Sequence, residues 1–187
     1  MERQIMSARE MDLALARIAA EIVEKHSKLE DLLLVGIRRR GIPLSQRLQK
    51  HIQRLTQKAV QLGILDITLY RDDLTTVAAQ PVVESTRIDV PVEGRKVILI
   101  DDVLYTGRTI RAALDHLVDF GRPAKVELAV LIDRGHRELP IQADYVGKHI
   151  QTADEEVVEV QLPEIDQTER VMLTNRDLIR KKKGLSV

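Results

Sequence analysis

One segment constrains the fold of this 187-residue chain more than any other: the run Val97–Thr109, with the sequence VILIDDVLYTGRT. Its four leading apolar residues predict a strand that is buried on both faces, as in a parallel sheet. Two carboxylates, Asp101 and Asp102, follow directly at the carboxyl end of that strand. Ligands of open α/β sheets bind at this end of the strands. The segment therefore predicts an α/β fold with a binding site beside the two carboxylates.

The turn Tyr105–Thr109 after the carboxylates has the composition of a phosphate-binding loop. It opens a predicted helix, whose first turn offers unpaired N–H groups and the positive end of the helix dipole. Gly107 allows the backbone to curl closely around an anion, and Thr106 and Thr109 add hydroxyl donors. The paired carboxylates are acceptors suited to two adjacent sugar hydroxyls. Phosphate donors beside diol acceptors indicate a ribose 5-phosphate site.

Two other interpretations of the same residues stay open at this level. Paired aspartates at a strand end also bind metal ions in phosphatases and response regulators, and Thr-Gly at a helix start can serve as a cap alone. A single run of this length that meets both the phosphate and the diol requirement favours the sugar-phosphate site.

The remaining pattern extends the α/β prediction to most of the chain. Ser7 and Glu10 have the spacing of a capping box, so a helix is expected near 8–26. A second helix is expected around Pro43, with Leu44, Leu48, Ile52 and Leu55 on one face. The other predicted elements are strands at Leu32–Ile37, Ile64–Tyr70, Val97–Asp101 and Val126–Ile132, and a helix at Gly107–Phe120 closed by Gly121. Such alternation implies a parallel sheet with helices on both faces.

Two stretches carry less regular patterns. The polar segment from Arg71 to about Pro91 reads as a long loop or hairpin, and loops of that length are usually functional. The part after residue 157 is shorter and less regular, and it ends in the basic run Arg180–Lys183.

Composition narrows the class of protein. The 29 basic and 29 acidic residues cancel, so no global field favours nucleic acid or membrane. The absence of cysteine fits a reducing compartment, the charged N-terminus lacks a signal-peptide pattern, and the apolar runs are too short for a bilayer, so a cytoplasmic protein is expected. The few aromatic residues count against modules that stack bases on aromatic platforms.

A second anion site is predicted in the loop Gly36–Gly41, with the sequence GIRRRG. Guanidinium groups pair with phosphate in a planar, bidentate manner, so three arginines between glycines after a strand suit a pyrophosphate. The alternative is a solvated basic loop.

The run DDVLYTGRT resembles the phosphoribosyl pyrophosphate (PRPP) motif of type I phosphoribosyltransferases. Together with Asp66–Leu74 (DITLYRDDL) and Asp133–Pro140 (DRGHRELP), it resembles one subfamily, the bifunctional pyrimidine operon attenuators and uracil phosphoribosyltransferases of the PyrR type. The resemblance runs from about Met11 to about Val171. It implies the type I phosphoribosyltransferase fold, with a central mostly parallel sheet, a small hood and a flexible loop. We therefore expect one domain over 1–171 and a basic extension over 172–187.

The resemblance also implies roles for individual residues. Asp101 and Asp102 would be catalytic and would hold the ribose hydroxyls. The hood that reads the base would involve Tyr145–Lys148 and the strand near Val157–Val160. Residues implied to bind PRPP or nucleotide are Arg39, Arg40, Gly41, Arg71, Val103, Leu104, Tyr105, Thr106, Gly107, Arg108, Thr109 and Arg134.

The implied reaction joins uracil to PRPP and gives UMP and pyrophosphate. Mg²⁺ is the implied cofactor, bound through PRPP and water with no direct protein ligand. The implied partners are PRPP, uracil, UMP, pyrimidine-operon leader mRNA and further copies of the chain in a homodimer or homotetramer. A purine phosphoribosyltransferase is an alternative, because the PRPP motif does not specify the base.

The implied regulatory role, UMP-responsive binding of mRNA, meets a departure from the family pattern. Where the best-known members carry Thr, His and Arg, this chain has Ala16, Ala20 and Gln142. An RNA-binding attenuator with little catalysis is thus a second alternative. The remaining candidates for RNA contact are Arg17, Lys25, His136, Arg137 and Lys148.

Overall fold

The computed structural model describes residues 2–70 and 85–177, and its centre is a parallel five-stranded sheet. In chain order the elements are β1 (Arg3–Ser7), α1 (Ala8–Lys25), β2 (Leu32–Ile37), α2 (Gly41–Thr56), β3 (Gln61–Leu65), β4 (Lys96–Leu104), α3 (Arg108–Leu117), β5 (Lys125–Asp133), β6 (Tyr145–His149), β7 (Glu156–Gln161), α4 (Pro163–Asp166) and β8 (Arg170–Asn175). Short 3₁₀ turns at Leu29–Asp31 and Val118–Phe120 precede β2 and follow α3. The predicted α/β architecture is confirmed.

The five strands lie in the order β3-β2-β4-β5-β6, all parallel. Their side chains alternate between two apolar clusters, as the period of a strand requires. Leu34, Ile98 and Ile100 pack with α1 and α2 on one face. Leu33 and Leu99 pack with α3 on the other face. Because helices cover both faces of the sheet, only the ends of the strands are left open, and polar residues lie there.

A smaller antiparallel sheet in the order β1-β8-β7 packs against the α1 and α2 face. The sequence pattern did not predict β1, because Met6 is its one fully buried residue. Strand β8 continues to Asn175, past residue 171, where the domain was expected to end. The basic run Arg180–Lys183 lies outside the described residues.

Most predicted elements match the structure, with two corrections. The strand expected over Ile64–Tyr70 was wrong in position, because β3 ends at Leu65 and the buried Asp66 then turns the chain by accepting hydrogen bonds from Thr68. Leu55 was expected in the core with Leu44, Leu48 and Ile52. It is 56% exposed, since it lies in the last turn of α2, beyond the packed part of that face.

The helix α1 begins at the predicted capping box. The Ser7 hydroxyl accepts from the Glu10 amide, and the Glu10 carboxylate accepts from the Ser7 amide at 2.7 Å. Of the helices within residues 2–70 and 85–177, none combines the length and apolarity that a membrane span requires.

The opposite end of α1 is joined to the sheet through a buried charge. Glu127 on β5 accepts from Tyr145 Oη at 2.7 Å and lies 2.8 Å from His26 Nε2. Its second oxygen lies 3.0 Å from Lys25 Nζ and 2.7 Å from Lys125 Nζ. Burial opposes ionisation of Glu127, but these four partners together hold the pKa of its carboxyl well below its ordinary range. The group is at the amino end of β5, away from the two carboxylates of β4.

We predict that Glu127→Gln lowers the free energy of unfolding by about 1–3 kcal/mol at pH 7, the cost of disrupting a buried, charge-assisted hydrogen-bonding group. Because the pKa of Glu127 is lowered by folding, its stabilisation is present above the unfolded value near 4.5 and declines as the pH falls below it. The difference between wild type and variant should therefore shrink from pH 7 to pH 3.5. Urea unfolding at both pH values measures it.

Glu21→Gln is the matched control, because Glu21 pairs with Arg17 on the exposed face of α1. Exposed pairs of this kind contribute less than about 1 kcal/mol. A Glu127 variant as stable as the Glu21 variant at pH 7 would contradict the role assigned to the buried cluster.

Candidate functional site

The carboxyl end of β4 carries Asp101 and Asp102, as predicted. Asp101 is buried, and its Oδ1 accepts from the Asp102 amide at 2.9 Å. The Oδ1 of Asp102 in turn accepts from the Val103 amide at 2.9 Å. Burial raises the pKa of Asp102, although hydrogen bonding with Asp101 and the charge of Arg40 oppose the rise. The two side chains are thus fixed by the backbone that follows them, and a positive charge lies close to Asp102.

The turn after β4 forms a cavity of about 210 Å³ that is lined by residues 103–110. Gly107 precedes α3 with φ +92°, a left-handed conformation that favours glycine. A Cβ on it would also lie 3.3 Å from Leu139 Cβ. The Thr106 carbonyl accepts from the amides of Glu138 and Leu139 at 3.0 and 3.1 Å, so the chain after β5 supports the outer side of the turn. The first turn of α3 then points its N–H groups toward the cavity, as an anion requires.

Close packing of the backbone brings the loop after β2 to the carboxyl end of β4. A Cβ on Gly41 would lie 2.2 Å from the Ile100 carbonyl oxygen, so only glycine permits this approach of α2 to β4. The Arg38 amide donates to the Leu65 carbonyl at 3.0 Å, and the Arg38–Arg39 peptide bond is cis. Arg39 is exposed, and its side chain makes no ion pair within the part of the chain that the structure describes. The predicted pyrophosphate loop and the β4 carboxylates therefore lie together.

Arg134 is nearly fully buried behind the phosphate turn. Its guanidinium carbon lies 4.1 Å from the centre of the Tyr105 ring, within range of a cation–π interaction. Its Nε donates to Thr152 Oγ1 at 3.1 Å, its NH2 group donates to the Ala153 carbonyl at 3.3 Å, and its amide donates to the Leu104 carbonyl. Burial lowers the pKa of Arg134. Arg134 thus supports Tyr105 in this structure, and its direct contact with a ligand stays a prediction.

Arg137 supports the same turn, which the sequence did not indicate. Its guanidinium donates to the Tyr105 carbonyl at 2.8 Å, to the Ile141 carbonyl at 2.9 Å and to Asp133 Oδ2 at 2.7 Å. The spacing of Asp133 and Arg137 in the DRGHRELP motif was the available signal. His136 lies beside it, with Nε2 2.8 Å from the Thr152 carbonyl. Both residues were predicted to contact RNA, and here they hold the wall of the site.

The other three RNA candidates lie elsewhere, on α1 and β6. Arg17 donates to the carbonyls of Val146 and Gly147, and Lys148 Nζ donates to the Ile5 carbonyl at 2.8 Å. Lys25 pairs with Glu127, as described above. The five candidates thus form two separate groups, and each side chain has a partner within its own chain. Ala20 and Gln142 are exposed, and Ala16 is partly buried.

The expected flexible loop, from Arg71 to about Pro91, is described only in part, and the segments before and after residues 71–84 lie side by side. Ile64 and Arg87 exchange backbone hydrogen bonds of 2.8 Å, and the Asp66 amide donates to Thr86 Oγ1 at 3.0 Å. Tyr70 stacks on His116 of α3 with ring centres 4.2 Å apart. Arg71 itself and the rest of residues 71–84 lie outside the described residues.

The two parts of the expected hood belong to different sheets. Tyr145–Lys148 lies in β6, at the edge of the parallel sheet, whereas Val157–Val160 lies in β7 of the small sheet. The chain between them passes Thr152 and Ala153, which accept from Arg134. The structure therefore links this connection to the wall behind the phosphate turn.

Asp101 and Asp102 suit a metal ion that is bound mainly by a phosphate-bearing substrate. Within residues 2–70 and 85–177 there is no group of three or more histidine and carboxylate side chains arranged to hold an ion. Asp101 and Asp102 remain as neighbouring carboxylates at the edge of the cavity. Mg²⁺ commonly binds through one or two carboxylates together with waters and substrate phosphates, and this donor set fits that mode.

Comparison with known proteins gives a family match over most of the chain. Residues 2–165 match the family described as phosphoribosyl transferase domain. The chain is 57% identical over 170 residues to a curated protein of Pelotomaculum thermopropionicum, spanning 91% of this chain and 94% of that one. It is 55% identical over 174 residues to one of Thermus thermophilus, spanning 93% and 96%. Both relatives carry the name "Bifunctional protein PyrR".

Solved structures share the fold at low sequence identity. A hypoxanthine phosphoribosyltransferase of Staphylococcus aureus has a TM-score of 0.70 at 20% identity and covers 95% of this chain and 94% of its own. A hypoxanthine phosphoribosyl transferase of Trypanosoma cruzi has a TM-score of 0.73 at 16% identity, with 98% and 96% covered. These similarities establish the fold and leave the base open.

Proposed function

Because the chain belongs to the phosphoribosyltransferase family, and within it to the family of the Bifunctional protein PyrR relatives, we propose that it transfers ribose 5-phosphate from PRPP to uracil. The products are UMP and pyrophosphate. The relatives' name also supports a second role, UMP-responsive regulation through pyrimidine-operon mRNA. The subfamily motifs DITLYRDDL and DRGHRELP favour uracil over a purine base.

One juxtaposition carries the enzymatic proposal: the β4 carboxylates lie close to two predicted anion sites of different kinds. On one side is the glycine turn at the start of α3, which suits the 5-phosphate. On the other side is the arginine loop at the start of α2, which suits the pyrophosphate. PRPP has a phosphate and a pyrophosphate at opposite positions of a ribose ring with two free hydroxyls, so its three parts match the three features.

The mechanism follows from charge and position. The anomeric carbon becomes cationic as pyrophosphate leaves, so the protein must hold the ribose and neutralise the departing group. Asp101 and Asp102 would fix the ribose through its hydroxyls, and Arg39 and Arg40 would bind the leaving group. Mg²⁺ bound to PRPP and water would supply further positive charge at the pyrophosphate. The segment that includes Arg71 would close over PRPP and exclude water that would otherwise hydrolyse it.

The base is tested by a panel of acceptors assayed with PRPP and Mg²⁺. We expect nucleotide formation with uracil and much slower formation with hypoxanthine and guanine. Faster turnover of either purine would overturn the uracil assignment and favour a purine phosphoribosyltransferase. Absence of turnover with every base, together with UMP-dependent RNA binding, would instead favour an attenuator with little catalysis.

We predict that Asp102→Asn lowers the turnover number about 10²–10³-fold while the protein stays folded, because a charged acceptor beside the ribose is lost from a site that stabilises developing charge. Steady-state kinetics at saturating PRPP and a thermal unfolding curve measure both properties. Asp115→Asn is the control, since Asp115 forms an exposed pair with Arg111 on α3. Turnover near that of the wild type in folded Asp102→Asn would refute the site.

For the regulatory role we predict RNA binding that is weaker or differently specified than in the best-known attenuators of this family. Three expected contact positions lack the polar or charged group: Ala16, Ala20 and Gln142. Each lost hydrogen bond typically costs about 0.5–1.5 kcal/mol, and more for a charged group. A titration of a pyrimidine-operon leader hairpin, with and without UMP and at two salt concentrations, measures this.

Nanomolar, UMP-stimulated binding that discriminates against a scrambled hairpin would contradict that prediction. Weak binding that falls steeply with salt and ignores UMP would indicate phosphate attraction alone. Phosphoribosyl transfer would then be the function assigned to the chain.

A further inference from the structure

The connection between β7 and β8 is acidic and docks on the start of α2. We define it as the acidic connection, residues 162–169, which includes α4. Glu164 and Glu169 both pair with Arg47 of α2, the first at 3.0 Å. Asp166 reaches further toward the site and accepts from the NH2 group of Arg40 at 2.9 Å. The small sheet is therefore tied by separate ion pairs to the body of α2 and to the arginine loop.

The guanidinium of Arg40 has one nitrogen that is hydrogen-bonded and one that is not. Its NH2 group is engaged by Asp166, whereas its Nε is buried and has no hydrogen-bond partner among residues 2–70 and 85–177. Buried polar groups are almost always paired, so an unpaired donor beside a predicted anion site points to a ligand oxygen. The charge of Arg40 also reaches Asp102. The guanidinium thus lies between the ribose carboxylates and the acidic connection, with one donor edge unused.

Asp166 is itself rigidly placed. Its Oδ2 accepts from the Leu162 amide at 2.9 Å, and its own amide donates to the Leu162 carbonyl at 2.6 Å. Its side chain is 21% exposed, so the ion pair with Arg40 is partly shielded from water. A carboxylate fixed by backbone on one oxygen can orient a guanidinium through the other oxygen.

We propose that Asp166 is a positioning residue, which holds Arg40 so that its free edge meets the pyrophosphate of PRPP. This inference rests on the proposed function and adds a residue from the small sheet to the machinery around the leaving group. It also assigns a purpose to the acidic connection beyond docking: the small sheet sets the direction of the arginine. Glu164, two residues earlier on the same connection, contacts Arg47 instead and has no part in this positioning.

The test compares Asp166→Ala, Asp166→Asn and the control Glu164→Ala, which removes an ion pair of the same connection without touching Arg40. Pyrophosphate binding by calorimetry and the Michaelis constants for PRPP and uracil are measured for each. We expect Asp166→Ala to weaken pyrophosphate binding and raise the PRPP constant about tenfold, since one charge-assisted hydrogen bond no longer orients Arg40. The uracil constant should stay unchanged. Asp166→Asn keeps an oxygen acceptor and should lose less, and Glu164→Ala should match wild type.

Several outcomes would overturn the inference. Tighter pyrophosphate binding in Asp166→Ala would mean that Asp166 competes with the ligand for Arg40. Equal losses in Asp166→Ala and Glu164→Ala would mean that the connection only docks the small sheet. If Asp166→Ala does not fold, the test rests on Asp166→Asn. Pyrophosphate affinity equal to that of the wild type would then contradict the proposal, and weaker affinity would support it. A wild type that binds pyrophosphate but makes no nucleotide would refute the proposed function alone, whereas one that binds no pyrophosphate would refute both.

Discussion

The geometry of the site depends on the close packing of backbone at Gly41. A side chain there would meet the Ile100 carbonyl at 2.2 Å, and one on Gly36 would meet the Gly41 carbonyl at 2.6 Å. These contacts are possible only with hydrogen in place of Cβ, and they draw the start of α2 onto β4. The start of α3 follows β4 directly, so two helix starts with their positive dipole ends share one sheet edge. Two buried or partly buried carboxylates lie between them.

The proposed substrate PRPP carries a 5-phosphate and a pyrophosphate, so it needs two separate anion sites on the protein. In the proposed function, the glycine turn and α3 would bind the 5-phosphate, the arginine loop would bind the pyrophosphate, and Asp101 and Asp102 would bind the ribose hydroxyls. The walls come from the chain after β5, where Arg134 lies against the Tyr105 ring and Arg137 donates to the Tyr105 carbonyl. The sheet thus fixes the β4 carboxylates, which are acceptors, while the phosphate turn and the arginine loop supply hydrogen-bond donors.

The sequence predicted the elements whose patterns are local and strong. The apolar runs of β2, β4 and β5 and the capping box of α1 identified the parallel sheet and its first helix, and the Val97–Thr109 run placed the carboxylates at a strand end. It did not predict β1, whose single buried residue leaves no periodic pattern. It also extended β3 too far, because the alternation over Ile64–Tyr70 continues into a turn that Asp66 organises.

The sequence pattern did not predict the roles of residues whose partners lie far away in the chain. Contact of His136 and Arg137 with RNA stays a prediction, but the pattern did not indicate their partners within the chain, which are the Tyr105 carbonyl for Arg137 and the Thr152 carbonyl for His136. The pairing of Arg40 with Asp166 joins residues 126 positions apart, which no local spacing reveals. Long-range contacts of this kind decide how an arginine loop is oriented, and the structure is needed to find them.

The most direct test of the account is a crystal structure of the protein with PRPP and Mg²⁺. The account predicts the 5-phosphate against the turn Tyr105–Thr109, the ribose hydroxyls on Asp101 and Asp102, and the pyrophosphate beside Arg39 and Arg40. Ligand bound with its pyrophosphate in the α3 turn, or bound away from the β4 carboxylates altogether, would contradict it.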